Sequence, residues 1–180
     1  MISQDVERIL LTEKEIENRC IELAKAIEED YMALSRVPVV VGLLKGSVPF
    51  MAELIKRFTF PCEIDFMSVS SYDGTESIGD VRIDKDMDLS CRDRSILVVE
   101  DIVDTGRTLM AVKQMFLNKG ATDVKIVSLL DKPDRRVVDI QADYVGFTVP
   151  NEFVVGYGLD YNQKYRNLPF IGVLKPEIYE

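Results

Sequence analysis

Apolar and polar positions along the chain fall into two textures. From Thr12 the residues Ile16, Cys20, Leu23, Ile27 and Tyr31 recur at helical spacing. Thr12 with Glu15 has the form of a capping box, so a helix is predicted to open there. The run VPVVVGLL (37–44) is apolar without alternation, the mark of a strand covered on both faces. KGS (45–47) breaks it, and VPFMAELIKRF (48–58) reads as a helix with Ser47 a plausible cap and Pro49 in its first turn. CEIDFMSVSSY (62–72) follows as a strand, and DGTESIGD (73–80) has the composition of a mobile loop. ILVVE (96–100) is another buried strand, RTLMAVKQMFLNKG (107–120) a helix that Gly120 can end, and VKIVSLL (124–130) a further strand. Beyond Pro133 come shorter strand-like pieces, ADYVGFTV, FVVGY and FIGVL.

Strands alternating with helices predict an α/β fold, a mainly parallel sheet flanked by helices. No repeat, low-complexity tract or linker divides the chain, so residues 1–180 read as a single domain. Ligands of such open sheets bind beyond the carboxyl ends of the strands. Three segments meet that rule: LLKGS, VVEDIVDTGRT and SLLDKPDRR.

Charge and composition narrow the chemistry. Twenty-two basic against thirty-one acidic residues leave a net charge of −9, which argues against a nucleic-acid surface. A small polyanion remains possible, because a local cluster or a bound metal can reverse the field within one pocket. Cys20, Cys62 and Cys91 form no Cys-x-x-Cys pair, and a reducing cytosol suits them. The first residues lack the basic-then-apolar form of a signal peptide, and VPVVVGLL is too short to span a bilayer. A cytoplasmic protein with no membrane partner is expected. With no histidine, proton transfer falls to Asp, Glu, Lys, Tyr or Cys, and any metal is expected to be a hard cation such as magnesium (Mg2+).

The densest chemistry lies in ILVVEDIVDTGRTL (96–109). If ILVV is a central strand, Glu100 and Asp101 emerge at its carboxyl end and point to opposite sides. DTGRT then turns into a helix whose first N–H groups are unsatisfied and carry the positive end of the dipole. Gly106 allows close backbone approach and Thr105 and Thr108 add hydroxyls, which together make a phosphate cradle. The acids suit a sugar's hydroxyls, or a magnesium ion bridging to them. A sugar phosphate fits both halves. The structural alternative for DTG is a turn in which Asp104 caps the helix.

VVEDIVDTGRT resembles the phosphoribosyl-pyrophosphate-binding motif of the type I phosphoribosyltransferases, and the likeness over most of the chain narrows to the hypoxanthine-guanine phosphoribosyltransferases. GLLKGSVPF is similar to that family's pyrophosphate loop and SSYDGTESIGDVRI to its mobile active-site loop. SLLDKPDRR and FVVGYGLDYNQKYRNLPFIGVL are similar to its purine-binding region. The resemblance implies the type I fold, with a small hood subdomain built mainly from C-terminal residues. It implies transfer of ribose 5-phosphate from phosphoribosyl pyrophosphate to a 6-oxopurine, with release of pyrophosphate. On the same ground Glu100 and Asp101 hold the ribose hydroxyls, partly through magnesium, and Thr105, Gly106, Arg107 and Thr108 hold the 5′-phosphate. Asp104 accepts a proton from the purine's imidazole edge. Lys45 and Gly46 serve the pyrophosphate, in a loop whose Leu44–Lys45 peptide is cis in the family. Lys132 donates to the exocyclic oxygen, Phe153 stacks on the base and Val154 offers backbone groups to its pairing edge. Asp160 binds a second magnesium, Arg166 contacts pyrophosphate, and Ser71 and Tyr72 close over the reaction centre. A homodimer or homotetramer is implied as well.

Two other readings compete. Xanthine could be the preferred base, a choice made by contacts to the 2-position. A ligand-sensing repressor could keep the fold without turnover, but it should carry a DNA-binding segment or a basic face. Neither GxGxxG nor GxxxxGK followed by Ser or Thr occurs, which removes a Rossmann dehydrogenase and a P-loop enzyme.

Overall fold

The computed structural model describes residues 2–71 and 81–179. In chain order the elements are β1 (Val6–Leu11), α1 (Glu13–Ala33), β2 (Val39–Leu44), α2 (Val48–Ile55), β3 (Glu63–Ser71), β4 (Val81–Lys85), β5 (Ser95–Val103), α3 (Arg107–Asn118), β6 (Asp123–Asp131), β7 (Tyr144–Thr148), β8 (Val154–Val155), β9 (Ile171–Leu174) and α4 (Pro176–Tyr179).

The expected capping box opens α1. Glu15 N donates to Thr12 Oγ1 at 3.3 Å, and Thr12 N donates back to the Glu15 carboxylate at 2.8 Å. Ile16, Cys20, Leu23, Ile27 and Tyr31 are all buried, as their spacing requires. At α2 the expectation needs correcting. Ser47 occupies the N-cap position but makes no capping bond; its hydroxyl donates to Leu43 O at 2.6 Å, tying the helix start back to β2. The helix ends at Ile55, short of Phe58. Helix α3 closes as Gly120 allows: at φ +92° it places Gly120 N on Leu117 O and Ala121 N on Phe116 O, both at 3.0 Å, in a Schellman arrangement.

The larger sheet runs β4-β3-β2-β5-β6-β7, parallel except where β4 meets β3. Both faces of its centre are covered. Val40, Leu97, Val99, Val127 and Leu129 pack toward α1 and α2, while Val39, Val41, Ile96, Val98 and Ile126 pack toward α3. Continuous apolar runs in β2, β5 and β6 are the sequence form of that double burial. From β2 the connections run outward through β3, and from β5 they run the opposite way through β6 and β7. The strand order therefore reverses between β2 and β5, where open sheets hold their ligands.

A second, antiparallel sheet, β1-β9-β8, is the hood. Two of its strands are C-terminal, as expected, but β1 comes from the other end of the chain. Neither β1 nor β4 was foreseen. Both are largely exposed, so neither shows the apolar run or the clean alternation that marks a buried strand. No described helix is long and apolar enough to cross a membrane. The cysteines are free, and burial pushes the Cys20 thiol up to about 12, far from any role in proton transfer.

Candidate active site

Three chain segments emerge at the carboxyl ends of β2, β5 and β6, and the hood contributes a fourth. Strand β5 continues to Val103, so Glu100 and Asp101 lie within its last turns of pleat rather than beyond its end. Alternation sends Glu100, Ile102 and Asp104 to one side. A cavity of about 140 Å³ opens there, lined by these three with Thr105, Gly106 and Thr108. Asp101 goes the other way, toward Gly46, where a Cβ would overlap its carboxylate. The expectation that the two acids point to opposite sides is met only in part. The carboxyls stay in contact: burial raises the Glu100 pKa well above the usual range, and the charge and hydrogen bond of Asp101 raise it further. The pair forms one acidic patch.

Gly106 is the N-cap of α3, at φ +83°, with no side-chain capping bond. The first N–H groups of this twelve-residue helix are left for an external acceptor. Asp104 is not the cap. Its carboxylate accepts from Arg135 Nε at 3.0 Å, and its carbonyl accepts from Arg136 Nη1 at 2.9 Å. Lys132 N on Val103 O at 2.9 Å and Val137 N on Thr105 O at 3.1 Å complete a brace along residues 103–105. The segment after β6 therefore fixes the phosphate cradle as well as carrying Lys132. Thr105 Oγ1 receives Arg107 N at a long 3.5 Å, and the Arg107 side chain is exposed.

The Leu44–Lys45 peptide is cis, and Lys45 is exposed at the loop it forms. Gly158 of the hood packs so closely on Gly46 that a Cβ at 158 would overlap the Gly46 carbonyl. That contact brings the loop of Lys45 and Gly46 beside the segment that carries Asp160 and Arg166. The last two, expected in separate roles, form one ion pair of 2.8 Å, with Gln163 N also on the Asp160 carboxylate at 2.8 Å. Arg166 Nη1 donates to Gly158 O at 2.6 Å, while its Nε is buried and has no partner.

Lys132 Nζ donates to Glu152 O at 2.7 Å, next to Phe153. Burial lowers its pKa, opposed by the charge of Asp104. An ammonium has three protons, so two donors remain. Phe153 is 37% exposed. Leu174 N donates to Phe153 O at 2.8 Å, which makes Val154 and Val173 a non-hydrogen-bonded pair. Because β8 is the edge of the hood sheet, Val154 turns its N–H and C=O to the open side. The side chain of Val154 is core; its backbone is what the site can use.

Glu100, Asp101 and Asp160 do not close into a metal cage, and among the described residues no three His, Cys, Asp or Glu side chains do. The donor set still fits magnesium, which keeps several waters and takes one or two carboxylates plus substrate phosphates. Ser71 ends β3, with its side chain outside the description, and Tyr72 and the expected loop 73–80 lie outside the described residues. Sequence reasoning missed Ile102, Arg135, Arg136 and Gly158. Ile102 could have been found from strand parity with Glu100 and Asp104, whereas the two arginines gain meaning only from pairing across the brace.

Phosphate donors, a carboxylate pair and an aromatic-edged hood thus meet at the reversal of strand order, and the comparisons agree with that chemistry. Residues 8–162 match the phosphoribosyl transferase domain. The chain is 52% identical over 179 residues to the hypoxanthine-guanine phosphoribosyltransferase of Lactococcus lactis subsp. lactis, covering 99% of this chain and 96% of that one. The enzyme of the same name from Streptococcus thermophilus is 52% identical over 180 residues, covering 99% of each. A crystal structure of a hypoxanthine phosphoribosyltransferase from Staphylococcus aureus superposes with a TM-score of 0.95 at 49% identity, covering 99% of this chain and 97% of that one. The chain belongs to the type I phosphoribosyltransferases and, within them, to the hypoxanthine-guanine phosphoribosyltransferase family.

Proposed function

We propose that this protein is a purine-salvage transferase joining hypoxanthine or guanine to the ribose 5-phosphate of phosphoribosyl pyrophosphate, giving IMP or GMP and pyrophosphate. The observation that carries this reading is the start of α3, without a side-chain cap, facing Glu100 and Asp104 in one cavity.

The 5′-phosphate is held by the N–H groups and hydroxyls of residues 105–108, where helix dipole and unsatisfied donors act together. Glu100 and Asp101 take the ribose hydroxyls. Lys45, Gly46 and Arg166 receive pyrophosphate. The base lies against Phe153, its exocyclic oxygen on Lys132 and its pairing edge on the Val154 backbone. As the bond from the base nitrogen to the ribose C1 forms and the bond to pyrophosphate breaks, the Asp104 carboxylate accepts the proton released at the imidazole edge. Ser71 and Tyr72 exclude water that would intercept the activated sugar. Glu100, Asp101 and Asp160 would hold magnesium, which when bound would neutralise charge on the leaving pyrophosphate. One domain, residues 1–180, carries all of this, in a cytoplasmic homodimer or homotetramer whose size sedimentation would measure.

The test offers hypoxanthine, guanine, xanthine and adenine separately with phosphoribosyl pyrophosphate and magnesium, following nucleotide and pyrophosphate together. Equal release of both from hypoxanthine and guanine is expected. Binding of phosphoribosyl pyrophosphate with no turnover on any base would leave only a ligand-sensing role.

A further inference from the structure

The ring assigned to the base is not alone. Phe153 is stacked face to face on Tyr179 of α4, ring centroids 4.8 Å apart and planes inclined by 20°. The Tyr161 ring meets it edge-on at 5.6 Å and 90°. Tyr179 is anchored on the hood side, packing with Ile178, Val6 and Phe170 around Val155, Tyr165 and Leu168. The chain just before it is tied down as well: Ile178 N donates to Lys175 O at 3.0 Å, and Lys175 N donates to Asp5 O at 3.0 Å. The cavity beside Asp104, by contrast, is lined wholly from the β5–α3 segment.

We propose that Tyr179 is a positioning residue for purine binding, backing Phe153 from the hood side so that its opposite face is held ready for the base. This rests on the reading of Phe153 as the base platform. β8 is only two residues long and lies at a sheet edge, so the backbone alone restrains an exposed ring there weakly. Tyr179 covers one face and Tyr161 makes a perpendicular contact, and together they restrict the rotamers of Phe153. A base landing on the opposite face then immobilises little that was free, and preorganisation of this kind appears as affinity. Tyr179 packs within the hood cluster and on Phe153, so its influence should be confined to the base.

The experiment compares Tyr179→Ala, Tyr179→Phe and Phe153→Ala in steady-state kinetics, with hypoxanthine and phosphoribosyl pyrophosphate each varied. Tyr179→Ala should raise the KM for hypoxanthine about three- to tenfold, the range expected for one stacked aromatic pair and one freed side chain. The turnover number and the KM for phosphoribosyl pyrophosphate should stay within about twofold, the pattern of lost uniform binding. Tyr179→Phe, which keeps the ring, should restore the parent value. If Tyr179→Ala melts too low to assay, Tyr179→Leu carries the same test, since it keeps apolar bulk without a flat face. An unchanged hypoxanthine KM would overturn the proposal. So would a lowered one, which would mean that Tyr179 covers the base's face of the ring. Phe153→Ala separates the two levels: if it too leaves the hypoxanthine KM unchanged, the platform reading fails, and if it alone raises KM, only the role of Tyr179 fails.

Discussion

Replacing Gly106 by alanine tests the phosphate cradle through a cost that the geometry allows one to work out. The residue caps α3 at φ +83°, a region that costs an L-residue about 1–2 kcal/mol. A Cβ there would lie 2.6 Å from Ile140 Cγ2 and 2.9 Å from Arg136 Cδ. Arg136 can swing aside, but Ile140 is buried, and overpacking of that kind costs about 1–3 kcal/mol. The sum is about 2–5 kcal/mol. In a chain of this size each kcal/mol moves Tm by roughly 2–4 °C, so Gly106→Ala should melt at least about 4 °C lower. Because Arg136 belongs to the brace on residues 103–105, the KM for phosphoribosyl pyrophosphate should rise as well. Gly120→Ala is the control. Its φ is +92°, but the nearest atom to a Cβ, Arg92 Cγ, is at 3.5 Å, so only the conformational cost of about 1–2 kcal/mol applies. It lies at the far end of α3 and should leave the KM unchanged. Calorimetry with parallel kinetics decides the matter. A Gly106→Ala protein melting within about 1 °C of the parent, or matching Gly120→Ala in both readouts, would refute the reasoning.

Three further outcomes are expected. Asp104→Asn keeps the side-chain shape but cannot take the proton, so turnover should fall on the order of 10²–10⁴-fold while phosphoribosyl pyrophosphate binding by calorimetry persists; a turnover within about a factor of three of the parent would remove Asp104 from that role. Excess chelator should abolish nucleotide formation and added magnesium restore it, whereas full turnover without divalent metal would contradict the use of Glu100, Asp101 and Asp160. Lys132→Gln supplies both a donor and an acceptor, so it should erode discrimination against adenine and reduce use of hypoxanthine, read as the ratio of kcat/KM values; a parent protein using adenine as well as hypoxanthine would show that Lys132 does not select the base.

The core of the fold was legible because burial writes itself into local pattern. VPVVVGLL, ILVVE and VKIVSLL are uninterrupted because helices cover both faces of the sheet at β2, β5 and β6. Strand β1 left no such trace. Its side chains are mostly exposed or partly so, and its existence depends on pairing with β9, about 160 residues away along the chain. Ser47 was legible as a position but not as a contact: its hydroxyl reaches back to Leu43, which a rule about helix starts does not anticipate.

The site divides along the same physical line. Glu100, Asp101 and the DTGRT turn were readable because strand, acids and helix start are contiguous, so their spacing alone fixes where the groups go. Pairings across the fold were not. Arg135 on Asp104 joins residues from the ends of two different strands, and no local spacing distinguishes that arginine from a solvated one. Asp160 and Arg166 were proposed only through the family resemblance, since an acid and an arginine six apart otherwise read as surface charges, and their ion pair has a consequence that the separate roles lacked. An acid neutralised by its own arginine is a poorer metal ligand than a free one, so on the proposed roles pyrophosphate would compete with Asp160 for Arg166 before the carboxylate is released to a cation. Occupation of the pyrophosphate end and recruitment of a metal at Asp160 are then linked events. Metal affinity should therefore rise when pyrophosphate or phosphoribosyl pyrophosphate is bound, by more than the ligand's own charge alone would give.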